Sequence, residues 1–140
     1  MGIPHDILER GYAAFNRGDH DTMFELMEPD FVWHEALEVP GRKAAVGRDE
    51  FAGYMRGFER LWEDFGFDVL EVEEMGEEMA LAKLRAHGRG RASGEEMELE
   101  IFHLWRLRNG RAARMDAYLD EDAARDAVQL EHEAPPANQS

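Results

Sequence analysis

Two side chains in this 140-residue sequence stand where chemistry could be done: the acid of Phe31-Val32-Trp33-His34-Glu35 and the histidine of Ile101-Phe102-His103-Leu104-Trp105. Alternate residues of a strand share a face. Glu35 therefore lies with Trp33 and Phe31, and His103 with Leu99, Ile101, Trp105 and Leu107. A carboxyl among such groups has its proton affinity raised by desolvation, which suits a general base working near neutrality. A histidine on an apolar face can donate a hydrogen bond to a carbonyl or pass a proton. Each has a plainer reading. A short strand frays and leaves Glu35 in water, and His103 is a core histidine bonded to a backbone group or a tyrosine.

Other chemistries find little support. There is no cysteine, which removes thiolate metal sites, disulfides and a cysteine nucleophile. The six histidines are scattered without metal-ligand spacing, so no metal and no cofactor is expected. His87-Gly-Arg-Gly-Arg-Ala-Ser-Gly94 lacks the ending and the following helix of a phosphate loop, and reads as a strand connection. Ser93 within it has no adjacent base. Asp plus Glu number 31 against 16 Lys plus Arg, a formal charge of -15. That sign repels nucleic acid and anionic membrane surface. Glu63 to Glu78 holds eight acids and no base, and Lys83 and Arg85 on the next strand can pair with part of that run. No apolar run suits a signal peptide or a membrane span, so a cytoplasmic protein is expected.

The elements that must carry Glu35 and His103 follow from periodicity. Ile7, Leu8, Gly11, Tyr12 and Phe15 mark a first helix, ended by Asn16-Arg17-Gly18-Asp19. Asp19 caps a second, short helix that Pro29-Asp30 closes. A short strand, Phe31 to Glu35, precedes a loop with Pro40, Gly41 and Gly47. A third helix runs from about Asp49 to Trp62, with Phe51, Tyr54, Met55, Phe58, Leu61 and Trp62 on its stripe. The period then becomes two through Phe67 to Val72, Ala80 to His87, Met97 to Arg108 and Ala112 to Leu119. Asn109-Gly110 makes the hairpin turn. Asp120 caps a last helix to about Gln129, and a flexible tail is expected over 131–140. One domain over 1–130 accommodates all of it. Helices followed by antiparallel strands predict an α+β fold.

Several segments in this order resemble SnoaL-like proteins of the nuclear transport factor 2-like superfamily, which includes ketosteroid isomerases and polyketide cyclases. They are Ala13-Ala-Phe-Asn-Arg-Gly-Asp19, Asp30-Phe-Val-Trp33, Val46-Gly-Arg-Asp-Glu-Phe51, Gly88-Arg-Gly-Arg-Ala-Ser-Gly94, and His103-Leu-Trp-Arg-Leu-Arg-Asn-Gly-Arg111 followed by Ala117-Tyr-Leu-Asp120. The resemblance spans roughly residues 3 to 129. It implies a cone in which a strongly curved antiparallel sheet wraps N-terminal helices around a deep apolar pocket, and homodimers through the outer sheet face. Phe102, Leu104 and Tyr118 fall on that outer face by alternation. Tyr12, Trp33, Tyr54, Phe58, Trp62, Trp105 and Met115 are the expected lining, with the cavity between the third helix and the sheet. The expected ligand is a small hydrophobic molecule, planar or alicyclic, with one or two oxygens.

Carried over residue by residue, Glu35 falls where the isomerases place their general base. His103 falls where they place the acid that bonds the substrate oxygen. The isomerase tyrosine aligns with Gly11, one position from Tyr12, so steroid isomerisation itself is disfavoured. The acid–arginine–acid set of the epoxide hydrolases is absent from the strand of His103. Asp116, near the cyclase acid in sequence, is expected on the outer face. The expectation is cofactor-free acid–base chemistry next to a carbonyl (isomerisation, cyclisation or dehydration) with Glu35 and His103 catalytic and facing each other across the cavity. Both are expected to exchange protons near neutral pH. The alternative is a non-catalytic ligand-binding or dimerisation module.

Overall fold

The computed structural model describes residues 2–39 and 43–133, with the side chains of 131–133 outside the description. Four helices and six strands follow in the order α1 (Ile3–Asn16), α2 (His20–Glu25), β1 (Met27–His34), β2 (Ala44–Val46), α3 (Gly47–Leu61), β3 (Trp62–Glu74), β4 (Met79–Gly90), β5 (Glu96–Arg108), β6 (Arg111–Tyr118) and α4 (Glu121–Glu133). The strands form one curved, unclosed sheet in the order β2-β1-β6-β5-β4-β3. The α+β expectation holds. The sheet is not wholly antiparallel, because β1 runs parallel to β6.

The α1 backbone begins on Gly2, which has no side chain to cap it. The Glu74 carboxylate at the end of β3 does so instead, accepting from Gly2 N–H at 2.9 and 3.0 Å and from His5 N–H at 3.1 Å. At the other end Gly18 takes φ 71°, the left-handed conformation that suits glycine after a helix. Asp19 then caps α2, accepting from the Thr22 N–H at 3.1 Å and its hydroxyl at 2.6 Å. Asn16 ties α1 to the sheet. Its amide donates to the Phe67 carbonyl at 2.8 Å and accepts from the Phe67 N–H at 2.9 Å.

Two apolar clusters sandwich the sheet. The larger lies on the concave side, where Ile7, Leu8, Tyr12, Met23, Phe51 and Met55 of the helices meet Phe31, Trp33, Phe67, Leu84, Ile101, Trp105 and Met115 of the strands. The smaller lies on the convex side, where Ala124 of α4 covers Met79, Leu81, Phe102 and Leu104. Phe102 and Leu104, expected to be exposed for pairing with a second copy, are 3% and 0% exposed within one chain. Asp116 is on the convex side as expected but is buried. Arg114 donates two bonds to it at 2.9 Å, with His34 at 3.5 Å and Arg106 at 3.7 Å.

Element ends differ from the expectations in instructive ways. β1 starts at Met27 rather than Phe31, and β2 forms inside the expected loop. β4 runs to Gly90, so the connection to β5 is 91–95 rather than the whole glycine-rich segment. Trp62 opens β3 instead of ending the third helix. Helix α4 continues to Glu133, and the expected tail from 134 onward lies outside the described residues.

Candidate functional site

Glu35 lies one residue beyond β1, where its N–H donates to the Lys43 carbonyl at 2.7 Å and keeps the chain extended. It is 5% exposed. Its carboxylate accepts from the Ala36 N–H at 3.0 Å and, at 3.5 Å, from the Trp33 indole N–H. The Tyr54 hydroxyl of α3 donates a further bond to the same oxygen that Trp33 faces. All three described partners are neutral donors. Burial, followed by the charge of Glu35 and this bond, holds the Tyr54 hydroxyl well above its ordinary pKa, so it stays a donor. The fraying alternative for Glu35 does not apply, since the acid turns into the protein beside Trp33.

His103 sits mid-way along β5, opposite Ala82 of β4 and Ala117 of β6. Those two small neighbours leave room for the imidazole, which is 0% exposed. Its Nδ1 is 2.8 Å from the Tyr12 hydroxyl oxygen, and the Trp105 indole N–H donates to that same oxygen at 2.8 Å. Among the described residues Nε2 is buried with no hydrogen-bond partner. Desolvation pulls the imidazole down from 6.5 to about 3, so it is neutral at physiological pH. The expectation that His103 exchanges protons near neutrality is thereby corrected. The missing countercharge makes it a hydrogen-bonding group instead. Tyr12, offset by one position from the isomerase tyrosine, still reaches His103 across the core.

Trp33 joins the two centres. Its ring stands edge-on to His103 with centroids 5.2 Å apart, while its indole N–H faces Glu35. The space expected to open between Glu35 and His103 is thus occupied by this indole.

An apolar cavity of about 40 Å³ lies beside this group. It is bounded mainly by α1 and α2 on one side and the sheet on the other, with Phe51 the contribution from α3, whereas α3 and the sheet were expected to enclose it. Of the expected lining residues, Tyr12, Trp33 and Trp105 face it. Tyr54, Phe58 and Trp62 do not. They form a half-buried aromatic row with Phe65 along α3 and the start of β3, with centroids 4.9 Å apart for Tyr54–Phe58, 4.7 Å for Phe58–Phe65 and 6.4 Å for Trp62–Phe65. Met115 is 0% exposed and lies in the core between Trp33 and Trp105 in the strand register, away from the cavity wall. Phe31, Phe51, Phe67, Met23 and Met27 also face the cavity and were not singled out from the sequence. Phe31 shares a strand face with Trp33 and Phe51 opens the α3 stripe, so both carried a signal. Neither Glu35 nor His103 is on the cavity wall. His103 lies one layer behind it, since Tyr12, Trp33, Phe67 and Trp105 both pack on the imidazole and line the cavity.

The sequence matches the family model described as a SnoaL-like domain over residues 8–115. The chain belongs to this family. Comparison of the SnoaL-like chain with curated proteins gives no match. Solved structures share its fold at low identity. An NTF2-like protein of unknown function from Burkholderia pseudomallei is 21% identical with a TM-score of 0.75, over 94% of this chain and 97% of that one. TerC, co-crystallised with polyporic acid, is 18% identical with a TM-score of 0.75, over 91% and 99%. A candidate polyketide cyclase from Xanthomonas campestris is 19% identical with a TM-score of 0.73, over 87% and 93%. At such identities the likeness shows the fold, and the chemistry of the SnoaL-like chain has to be argued from its own residues. Among the described residues no helix is long and apolar enough to cross a membrane, and no three side chains are grouped to hold a metal ion.

Proposed function

We propose that this SnoaL-like chain binds a small hydrophobic carbonyl compound inside the cone and catalyses proton transfer next to the carbonyl. Glu35 is the base and His103 the partner of the oxygen. The observation that carries this reading is the pair of polar centres in an otherwise apolar interior, Glu35 with Tyr54 and His103 with Tyr12, both touched by Trp33. In the proposed step a C–H bond beside the carbonyl breaks and its proton passes to Glu35. The electron pair moves onto the carbonyl oxygen, where the His103 hydrogen bond strengthens as charge develops. Bonds from Tyr54 and Ala36 orient the carboxylate. Methionine walls favour the admission of a ligand larger than the cavity, because the unbranched thioethers of Met23 and Met27 adapt readily. The co-crystallisation of TerC, a chain of similar fold, with polyporic acid supports the reading of this fold as one that takes a small molecule.

The test needs no knowledge of the natural substrate. A panel of small aromatic ketones is incubated with the protein in D₂O, and exchange of the hydrogens beside the carbonyl is followed by NMR. The wild type is expected to accelerate exchange for at least one compound, with Glu35→Gln slower by about a hundredfold or more. Equal exchange by Glu35→Gln would overturn Glu35 as the base.

A second reading is a binding module without catalysis. It is favoured by the apolar cavity wall, from which Glu35 and His103 are set back, and it expects binding with no exchange by the wild type. We also propose a homodimer, now without the support of Phe102 and Leu104, which α4 covers.

A further inference from the structure

We propose that Gly11 holds open a pocket for a short alkyl group between α1, α2 and the sheet, and so sets the length of the hydrocarbon end that the cone admits. The inference rests on the reading of the interior as a ligand site and assigns the shape of one end of the ligand. Gly11 lies on the inward stripe of α1 with Ile7, Leu8 and Phe15, and all four face the cavity. Glycine inside a helix is unfavourable, because it loses more backbone freedom on folding than alanine does. Two structural demands account for several glycines elsewhere in the chain. Gly18 needs a positive φ, of 71°. Gly66 and Gly88 stand where a Cβ would come within 2.9 and 3.2 Å of a neighbouring side chain. Neither demand exists at Gly11. Its backbone is helical, and an added Cβ would meet Leu26 Cδ1 at 3.9 Å, an ordinary contact distance. Apart from the backbone of α1 and the two chain neighbours, no other heavy atom of the described residues lies within 4 Å of that position. An alanine side chain would therefore fit, pack on Leu26 and favour the helix. What glycine provides here is the space itself.

The walls decide what that space takes. On the helix side they are Ile7, Leu8, Phe15, Met23 and Leu26, whose side chains carry no hydrogen-bonding group stronger than a thioether. The polar atoms of the larger lining side chains are already engaged. Trp105 N–H donates to the Tyr12 hydroxyl at 2.8 Å, that hydroxyl lies 2.8 Å from His103 Nδ1, and Trp33 N–H faces Glu35. A polar group entering here gives up its water without gaining a partner, whereas a hydrocarbon leaves water favourably. Size narrows the choice further. The cavity holds about 40 Å³, against about 150 Å³ for an engineered apolar cavity that takes benzene. A short alkyl chain fills such a space with the walls as they stand, and a ring does not.

The experiment compares the wild type with Gly11→Ala on the full chain, using xenon and straight-chain methyl ketones as probes. Xenon binds by dispersion alone and needs no polar partner. With ¹³C-labelled methionine methyls, xenon is expected to move the Met23 and Met27 signals of the wild type and to leave Met79 unmoved. In Gly11→Ala xenon binding is expected to weaken about tenfold or more, while the urea midpoint rises. Among methyl ketones of increasing length, starting from acetone, affinity for the wild type is expected to rise to a maximum and then fall. In Gly11→Ala that maximum moves to a shorter ketone. Equal xenon binding by the two proteins, or a maximum at the same length in both, overturns the role of Gly11. A urea midpoint that falls in Gly11→Ala overturns it too, since the methyl would then clash rather than enter open space. Xenon that moves neither Met23 nor Met27 overturns the pocket. Xenon binding that weakens in Gly11→Ala, with no ketone bound by either protein, sustains the alkyl pocket and overturns the carbonyl reading of the proposed function.

Discussion

Burial of His103 without a countercharge has a consequence for stability that the proposed chemistry does not require. The imidazole is drawn down from 6.5 to about 3 by desolvation. Below about pH 6.5 the unfolded chain takes up a proton at this position and the folded chain does not. The group's contribution is fully present above the unfolded value and is lost as pH falls toward 3. Stability is expected to decline by about 1.4 kcal/mol per pH unit from this residue, starting near pH 6.5. Urea unfolding of the wild type and of His103→Phe between pH 7 and 5 checks it. The difference between the two should change with that slope, and parallel curves would contradict it. Glu35 makes a different demand. Its replacement by alanine leaves the Tyr54 hydroxyl and the Ala36 N–H without their acceptor, so Glu35→Ala is expected to lose about 1–3 kcal/mol by denaturant unfolding. Of this site, the concave placement of His103 was legible, because strand alternation ties it to Trp105, whereas alternation with Trp33 left Glu35 open between an inward turn and a frayed, solvent-facing end. The Tyr12–His103–Trp105 relay was not. It joins residues 91 and 93 positions apart in sequence, and periodicity carries no information on which buried hydroxyl meets which ring.

The glycines and the asparagine that looked like punctuation serve as fittings between elements. Gly88 reads as the start of a loop, yet it lies inside β4. A Cβ there would meet the Phe65 ring at 3.2 Å and Trp62 at 3.5 Å, so the strand admits those aromatics where a side chain would crowd them. Gly66, at the β3 bulge, faces the Asn16 side chain, which a Cβ would approach to 2.9 Å. Asn16→Ala removes both bonds to the Phe67 backbone and is expected to cost about 1–3 kcal/mol, read as a lower denaturation midpoint with an unchanged slope. An unchanged midpoint would show that water replaces the amide there. The helices and long strands were legible from their periods of 3.6 and two. The first half of β1 was not, since Glu28-Pro29-Asp30 has the composition of a turn. It pairs because β6 offers a partner at Met27 and Ala112, with a register shift before Val32. The three-residue β2 is too short to leave a period, and it exists through its pairing with β1.

At the scale of the whole molecule, the sheet divides two environments, and α4 decides how much of the second meets water. Ala124, 0% exposed, seats that helix over Phe102 and Leu104. Ala124→Asp places a charge in this contact and is expected to undock α4 at a cost above about 2 kcal/mol. Binding of a hydrophobic dye to the uncovered strands checks it, and native-like dye binding and stability would contradict it. Covering of the outer face by the chain's own last helix was not legible, because alternation tells which residues leave the concave side but not what receives them. The concave side carries the proposed function, in which the cone interior is a ligand site and not merely a core. The most direct measurement is a titration of the chain carrying ¹³C-labelled methionine methyls with acetophenone. Met23 and Met27 face the cavity, whereas Met79 lies under α4 on the opposite side of the sheet. Saturable shifts at Met23 and Met27 with Met79 unmoved are the predicted result. Saturation with Met23 and Met27 unmoved would contradict a ligand site in the cone interior.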